Sequence, residues 1–130
     1  MSDGSLTPEQ LVDLANERAL DILSITDHDT LDAYSAIKVI PPKLQLITGI
    51  EFSSQWRKQG IHIVGLNVDP VSESIICGVA QQKKARLDRA EKIAERLSNL
   101  GFEHCLEGAT LLADGQIGRP HFAQHLVNIG

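Results

Sequence analysis

Two acids and a histidine stand together in the stretch SITDHDTLDA, where Asp27, His28 and Asp29 follow a short apolar run. These residue types are poor neighbours for a packed core, because each costs free energy when it is buried without a partner. The same types bind divalent ions such as Mn²⁺, Zn²⁺, Fe²⁺ and Mg²⁺. The stretch is therefore a candidate metal site. The alternative role for Asp29 is a simple helix cap, since either Asp29 or Thr30 could be the N-cap of the helix that follows.

Two further ligand types lie on later apolar runs. Glu51 stands at the predicted end of the strand LQLITGIEFS, and His62 lies near the start of the strand GIHIVGLNV. Because the carboxyl ends of parallel strands meet at one crevice, we expect these residues to converge with His28. Taken alone, His62 also fits a hydrogen-bonded core histidine. Three strand ends that each carry a ligand type together favour a metal cluster.

The elements that must position these residues alternate between strand and helix. Thr7, Pro8 and Gln10 form a helix start with a capping box, and Gly101 is a natural left-handed helix stop. Apolar residues at helical spacing predict helices over 8–19, 31–39, 72–99, 106–112 and 120–127, the last two separated by a turn at Asp114 and Gly115. The strands are DILSI and the two named above. Short connections predict an α/β fold with parallel pairing.

Composition narrows the class of protein. The net charge is −5 and the pI is near 5.4, which argues against a broad basic footprint for DNA or other nucleic acid. Cys77 and Cys105 fit no CxxC pair, which favours two reduced thiols. No signal peptide and no run long enough to span a bilayer is present in the sequence. We expect a soluble cytoplasmic protein without a membrane partner, in which a phosphate substrate needs metal ions or a few local arginines.

Four segments carry a family resemblance: SDGSLTPEQLVDLANERALDILSITDHDT, GIEFSS, IHIVGLNVD and GRPHFAQHLV. In this order they resemble the PHP (polymerase and histidinol phosphatase) superfamily, in the branch of metal-dependent phosphoesterases that includes 3′,5′-nucleotide bisphosphate phosphatases and 5′-to-3′ exoribonucleases. The resemblance implies a distorted seven-stranded α/β barrel with a three-metal site. Residues 1–70 would then be the N-terminal part of that barrel, and residues 71–130 an all-helical insertion subdomain.

The resemblance also implies a ligand set. Asp3 and His28 would bind one ion, Glu51 would bridge two others, and His62 would bind one of that pair. The two aspartates that flank His28 would orient its ring or cap the next helix. Manganese is the favoured cofactor, with Zn²⁺, Fe²⁺ or Mg²⁺ as alternatives. The implied reaction is hydrolysis of a phosphate ester of a nucleotide or an RNA 5′ end by a metal-bound water.

Four basic side chains are candidates for binding substrate phosphates. Arg119 and His121 stand at a predicted helix start, where an anion is favourably placed. Arg86 and Arg89 lie on the long predicted helix and could equally belong to a solvated face shared with neighbouring acids. The pair of histidines in PHFAQH is not a zinc-protease motif, because Phe122 stands where that motif needs glutamate.

The chain also departs from the family pattern. Family members carry a His-x-His upstream of Ser-Asp-Gly, and a later histidine and a closing Asp-x-His beyond the helical insertion. These motifs are absent from the 130 residues, so we expect an internal piece of a longer enzyme. A hypothesis of another class is a catalytically inactive remnant that binds metal or a partner. An open sheet edge would also invite self-association into a homo-oligomer.

Overall fold

The computed structural model of this chain describes residues 5–113 and 115–130 as a mixed α/β structure, which confirms the predicted class. Asp3 and Asp114 lie outside the described residues. The elements, in chain order, are α1 (Pro8–Glu17), β1 (Ile22–Ile25), α2 (Asp32–Ala36), β2 (Gln45–Trp56), β3 (Gln59–Leu66), α3 (Glu73–Ser98), α4 (Cys105–Leu112) and α5 (Arg119–Ile129). Within the described ranges, no helix has both the length and the apolar character needed to cross a membrane.

The chain divides into two compact units, Met1–Ala80 and Gln81–Gly130, with the division inside α3. The first unit contains the strands and has a small core. The core cluster is made of the buried residues Val12, Ala15 and Leu44, with Leu23 and Ile37 packed against them. The second unit is helical, with a core of Ala90, Cys105, Ala109, Ile117 and Phe122. The sequence-based boundary between residues 70 and 71 stays a prediction.

The long helix and the two that follow it agree with the sequence-based expectations to within a few residues. Gly101 follows α3 at φ 93°, in the left-handed region where glycine is favoured, as predicted. Gly108 lies in α4 directly against the ring of His125 in α5, so that a side chain at residue 108 would collide with the ring. Both cysteines are free, as expected, with Cys77 exposed and Cys105 buried.

Of the two helices in the first unit before β2, α1 begins as predicted and α2 does not. Thr7 and Gln10 form the capping box, with Gln10 N–H donating to Thr7 Oγ1 at 3.2 Å and Thr7 N–H donating to Gln10 Oε1 at 2.8 Å. Helix α1 ends two residues earlier than predicted because Ala19 is left-handed at φ 52°. Helix α2 has only five residues. Its N-cap is Leu31, and Thr30 Oγ1 accepts a hydrogen bond from the Asp32 N–H at 3.2 Å, so the expectation that Asp29 caps this helix is wrong.

The sheet has the order β1-β2-β3 and contains both kinds of pairing. Strands β1 and β2 are parallel, from Ile22 opposite Gln45 to Ile25 opposite Thr48, with α2 in the connection as predicted. Strands β2 and β3 are antiparallel, so uniform parallel pairing is wrong for the third strand. The reason is the connection, since only residues 57 and 58 separate the two strands and a parallel crossover needs a dozen or more.

The chain segments of β1 and β2 lie close together at Gly49. A side chain there would lie 2.8 Å from Thr26 Cγ2 and would also collide with Ser24 Oγ. Next to it, the Tyr34 hydroxyl of α2 accepts hydrogen bonds from the N–H groups of Gly49 (2.7 Å) and Ile25 (3.0 Å). The same hydroxyl has the carbonyl oxygen of Ile25 at 2.7 Å as an acceptor. Helix α2 therefore ties β1 to β2 just before both strands reach the polar residues that follow.

We expect Gly49→Ala to lower the free energy of unfolding by about 1 to 3 kcal/mol, because the added methyl group must displace β1. Gly60→Ala is the matched control, since no atom lies within 4 Å of a side chain added in that strand. Urea unfolding followed by circular dichroism measures both variants. Equal stability of the two would contradict the close approach of the strands.

Candidate metal centre

Three of the predicted ligands come together in the first unit. His28, Glu51 and His62 each offer one donor atom, and the three atoms lie within 4.8 Å of one another. His62 Nδ1 is 2.8 Å from Glu51 Oε1, His28 Nδ1 is 3.8 Å from the same oxygen, and the two Nδ1 atoms are 3.3 Å apart. The rings meet edge to face, with centroids 4.7 Å apart. The structure thus gathers donors from three separate chain segments.

His28 reaches the cluster through main-chain pairing beyond the end of β1. It forms an isolated parallel bridge with Glu51, in which Asp29 N–H donates to the Glu51 carbonyl at 3.0 Å and Glu51 N–H donates to the Asp27 carbonyl at 3.1 Å. This bridge continues the β1–β2 alignment past the point where the regular ladder stops. The loop TDHDT is therefore held against β2 on both sides of His28.

Glu51 does not stand at the end of a strand, which corrects the sequence-based expectation. Strand β2 continues to Trp56, because from Gly49 onward it pairs with β3. Glu51 is paired on both sides of β2, with the His28 loop on one side and β3 on the other. The Glu51 side chain can therefore contact His28 from the loop and His62 from β3.

His62 reaches Glu51 through the antiparallel register. His62 is opposite Ser53, and Glu51 is two residues before Ser53, on the same face of β2 because side chains alternate along a strand. His62 is therefore the diagonal neighbour of Glu51, a position from which a long side chain can reach across. Half of the His62 side chain is exposed, against 16% for His28 and 25% for Glu51, so the cluster opens to solvent on the His62 side.

The donor set fits a divalent ion. Two imidazoles and a carboxylate are ligands used for zinc and related transition ions, and donors on bonds of about 2.0 to 2.1 Å lie roughly 3.0 to 3.4 Å from one another. The three observed separations, 2.8, 3.3 and 3.8 Å, bracket that range. Small side-chain rotations are enough to bring the three atoms to one ion. Which ion each residue serves, as the resemblance divides them, stays a prediction.

The flanking aspartates take different positions. Asp29 is fully buried, at 0% exposure, and its Oδ1 accepts a hydrogen bond from the Ser53 N–H at 2.7 Å. Asp27 is partly buried and its carbonyl accepts from Glu51 N–H. Both residues fix the main chain on either side of His28, which agrees with an orienting task and leaves no capping task for Asp29.

The four predicted phosphate-binding residues all belong to the second unit. Arg89 and Arg119 are exposed, and Arg86 and His121 are partly buried. Arg119 is the first residue of α5, and His121 Nδ1 accepts a hydrogen bond from the Gly118 N–H at 2.9 Å. Since that nitrogen is an acceptor, the ring proton of the neutral imidazole is on Nε2. His121 can therefore offer an N–H to an anion, and its assignment stays a prediction.

Two contributors to the site were missed by the sequence analysis. One is the Ser53 main-chain N–H, which binds the buried carboxylate. A main-chain donor carries no residue-type signal, and only the strand register identifies it. The other is Tyr34, the one tyrosine of the chain, whose hydroxyl joins β1 to β2. A single aromatic residue on a short helix could have been noticed, but nothing in its spacing indicates that it bonds main-chain atoms.

Comparison with known proteins identifies bacterial relatives. The chain is 44% identical to a 5′-3′ exoribonuclease of Escherichia coli, 38% to one of Haemophilus influenzae and 36% to a 3′,5′-nucleoside bisphosphate phosphatase of Chromobacterium violaceum, over 99% of its own length in each case. It spans 46% to 48% of the length of these relatives. No family model matches the sequence.

Solved structures agree with this relationship. A Chromobacterium violaceum amidohydrolase, solved with sulfate and without metal, superimposes with a TM-score of 0.78 at 36% identity. A Bifidobacterium adolescentis protein described as a metal-dependent phosphoesterase superimposes with a TM-score of 0.74 at 32% identity. The chain covers 99% and 98% of itself and 47% and 46% of these structures, respectively. The resemblance stated from the sequence is therefore confirmed: the chain is homologous to bacterial phosphoesterases of this kind.

We expect Mn²⁺ to raise the melting temperature of the wild-type chain and to leave that of Glu51→Ala unchanged, because the variant loses the oxygen shared by both histidines. A ligand at a hundred times its Kd adds about 2.7 kcal/mol to the free energy of unfolding. Glu107→Ala is the control, since Glu107 also faces a histidine, His104, at 3.6 Å, but in an exposed pair. An equal Mn²⁺ response in all three proteins would contradict the site.

Proposed function

We propose that this homologue of bacterial phosphoesterases supplies metal ligands to a divalent-metal-dependent phosphoesterase that acts on nucleotides or RNA 5′ ends. The observation that carries the proposal is the convergence of His28, Glu51 and His62 in a chain 36% to 44% identical to enzymes named for those substrates. The activity is proposed for a protein of the relatives' full length, of which this chain spans about half.

The proposed cofactor is Mn²⁺, held by His28, Glu51 and His62, with Asp3 as a further ligand outside the described residues. When bound, such an ion lowers the pKa of a coordinated water and neutralises charge on phosphoryl oxygens. The role of this chain is to supply the ligand atoms of His28, Glu51 and His62 and to hold them in place. Glu51 Oε1 lies within 3.8 Å of the Nδ1 atoms of both imidazoles, so its carboxylate is suited to bridging, and the exposed side of His62 leaves an approach for an anionic substrate.

The proposed architecture follows from the same relationship. Residues 1–70 would form the N-terminal part of a distorted (β/α)7 barrel, and residues 71–130 an all-helical insertion subdomain. The parallel β1–α2–β2 unit and the helical second unit are compatible with this division. The two free cysteines fit a reducing compartment, so the cytoplasm is the proposed location.

Substrate phosphates are proposed to bind at the start of α5. Arg119 offers a guanidinium fork that matches two phosphate oxygens, and His121 offers the Nε2 proton identified above. The main-chain N–H groups at a helix start also favour an anion. Arg86 and Arg89, on α3, are weaker candidates for the same task, because arginines along a helix commonly form a solvated face with neighbouring acids.

An alternative function is an inactive relative that binds metal or a partner without turnover. It rests on the gathering of His28, Glu51 and His62, because three such donors are enough to bind a metal ion without hydrolysis. A chimera separates the two functions. This chain replaces the matched half of the Escherichia coli exoribonuclease, to which it is 44% identical over 135 residues.

We expect the chimera to hydrolyse a 5′-phosphorylated oligoribonucleotide or a 3′,5′-bisphosphorylated nucleoside with Mn²⁺, and the 130-residue chain alone to hydrolyse neither. Release of mononucleotides identifies the first substrate and release of inorganic phosphate the second. His28→Ala in the chimera is the control and should abolish turnover. A folded chimera that binds Mn²⁺ without turnover would favour the inactive relative.

In the active chimera, we expect Arg119→Ala to raise the KM roughly ten- to a hundredfold with little change in metal content. A charge-assisted bond to phosphate is worth about 1.5 to 3 kcal/mol, and each 1.4 kcal/mol is tenfold in a binding constant. Metal content is measured by elemental analysis, with Arg96→Ala in the last turn of α3 as the matched control. Unchanged kinetics with a lower melting temperature would make Arg119 a structural residue.

A further inference from the structure

Asp29 is the one charged or polar residue classed as buried among residues 5–113 and 115–130, with 0% exposure. It is not one of the three donors of the cluster. Its main chain is left-handed, at φ 59°, a conformation that aspartate and asparagine tolerate better than other non-glycine residues. A carboxylate buried in a strained conformation needs a specific partner, because burying it unpaired is costly.

The contacts of Asp29 join two of the three segments that carry the donors, and its partner in β2 is paired with the third. Asp29 follows His28 directly in the chain, and its N–H donates to the Glu51 carbonyl at 3.0 Å. Its Oδ1 accepts from the N–H of Ser53 at 2.7 Å, and Ser53 is the residue paired with His62. Asp29 therefore links the His28 loop to the middle of β2 directly, and it reaches the position of His62 only through Ser53.

The direction of the Ser53 N–H also matters for His62. Because this N–H points to Asp29, it is not used in the ladder with β3. Ser53 and His62 are thus a non-hydrogen-bonded antiparallel pair, the type in which the Cα atoms and side chains are closer. The bond to Asp29 consequently favours the register geometry that brings the His62 ring to Glu51.

We propose that Asp29 is a positioning residue for the metal cluster, acting through its hydrogen bond to the Ser53 N–H rather than as a ligand. This inference rests on the proposed metal function and adds to it a residue that sets the separation of the donors. Partners that orient metal ligands typically change metal affinity 10- to 100-fold when they are removed.

The test compares Asp29→Gly with Asp29→Asn in the 130-residue chain, with Co²⁺ as the probe. Glycine deletes the side chain and tolerates the left-handed conformation, so the backbone is not strained further. Asparagine tolerates the same conformation and keeps an oxygen that can accept from Ser53. Co²⁺ affinity and the visible spectrum of the bound ion are measured by titration, and folding by circular dichroism. Asp32→Asn, an exposed acid in the next helix, is the matched control.

We expect Asp29→Gly to weaken Co²⁺ binding roughly 10- to 100-fold with an altered visible spectrum. Asp29→Asn and Asp32→Asn should keep the affinity within about threefold and retain the wild-type spectrum. Wild-type affinity in a folded Asp29→Gly variant would overturn the inference. Equal losses in Asp29→Gly and Asp29→Asn would also overturn it, because the charge and not the hydrogen bond would then matter.

Two further outcomes are decided by the same titration. If Asp29→Gly does not fold, Asp29→Ala, which also deletes the carboxylate, takes its place. Weaker Co²⁺ binding by Asp29→Ala than by Asp29→Asn supports the inference, and equal binding by the two variants overturns it. If the wild-type chain binds no Co²⁺, the proposed metal function fails and this inference fails with it. Wild-type binding that Asp29→Gly does not weaken overturns only the role of Asp29.

Discussion

The hydrogen bond from the Ser53 N–H to the buried Asp29 carboxylate is the constraint on which the candidate site depends. A buried charge without partners costs several kcal/mol, so moving the loop that carries Asp29 away from β2 would be unfavourable. The neighbouring main-chain bonds between Asp27, Asp29 and Glu51 hold the same loop in register. His28, enclosed between these contacts, has little freedom to leave the position in which it faces Glu51.

Strand β2 is the central element of the site because it has a different partner on each side. Its first half pairs with β1 in parallel, and its second half pairs with β3 in an antiparallel hairpin. Glu51 lies where the two pairings meet, so its side chain receives one histidine from each neighbour. The Tyr34 hydroxyl bonds β1 to β2 just before that point, and the missing side chain of Gly49 lets the two segments come close together. The contacts that join the three strands thus lie close to the candidate ligands.

A second histidine–glutamate pair shows why residue types alone do not make a site. His104 and Glu107 lie 3.6 Å apart at the start of α4, but their side chains are 80% and 71% exposed. Among the described residues, no third donor joins them. Exposed ion pairs of this kind are held weakly, because both side chains lose rotamer freedom when they meet in water. The cluster at Glu51 differs in that its donors come from three segments fixed by main-chain bonds.

The residue types of the site and much of the helical structure could be predicted from local signals in the sequence. The capping box at Thr7, the glycine stop at Gly101 and the helical spacing of α3 are local signals, and the structure confirms them. The resemblance to phosphoesterases could likewise be recognised from short motifs. How the three donors meet depends instead on contacts between distant segments: the antiparallel register of β3, the continuation of β2 past Glu51 and the bond from Ser53 to Asp29. These depend on main-chain pairing between segments distant in sequence, and main-chain N–H and carbonyl groups are the same for almost every residue type.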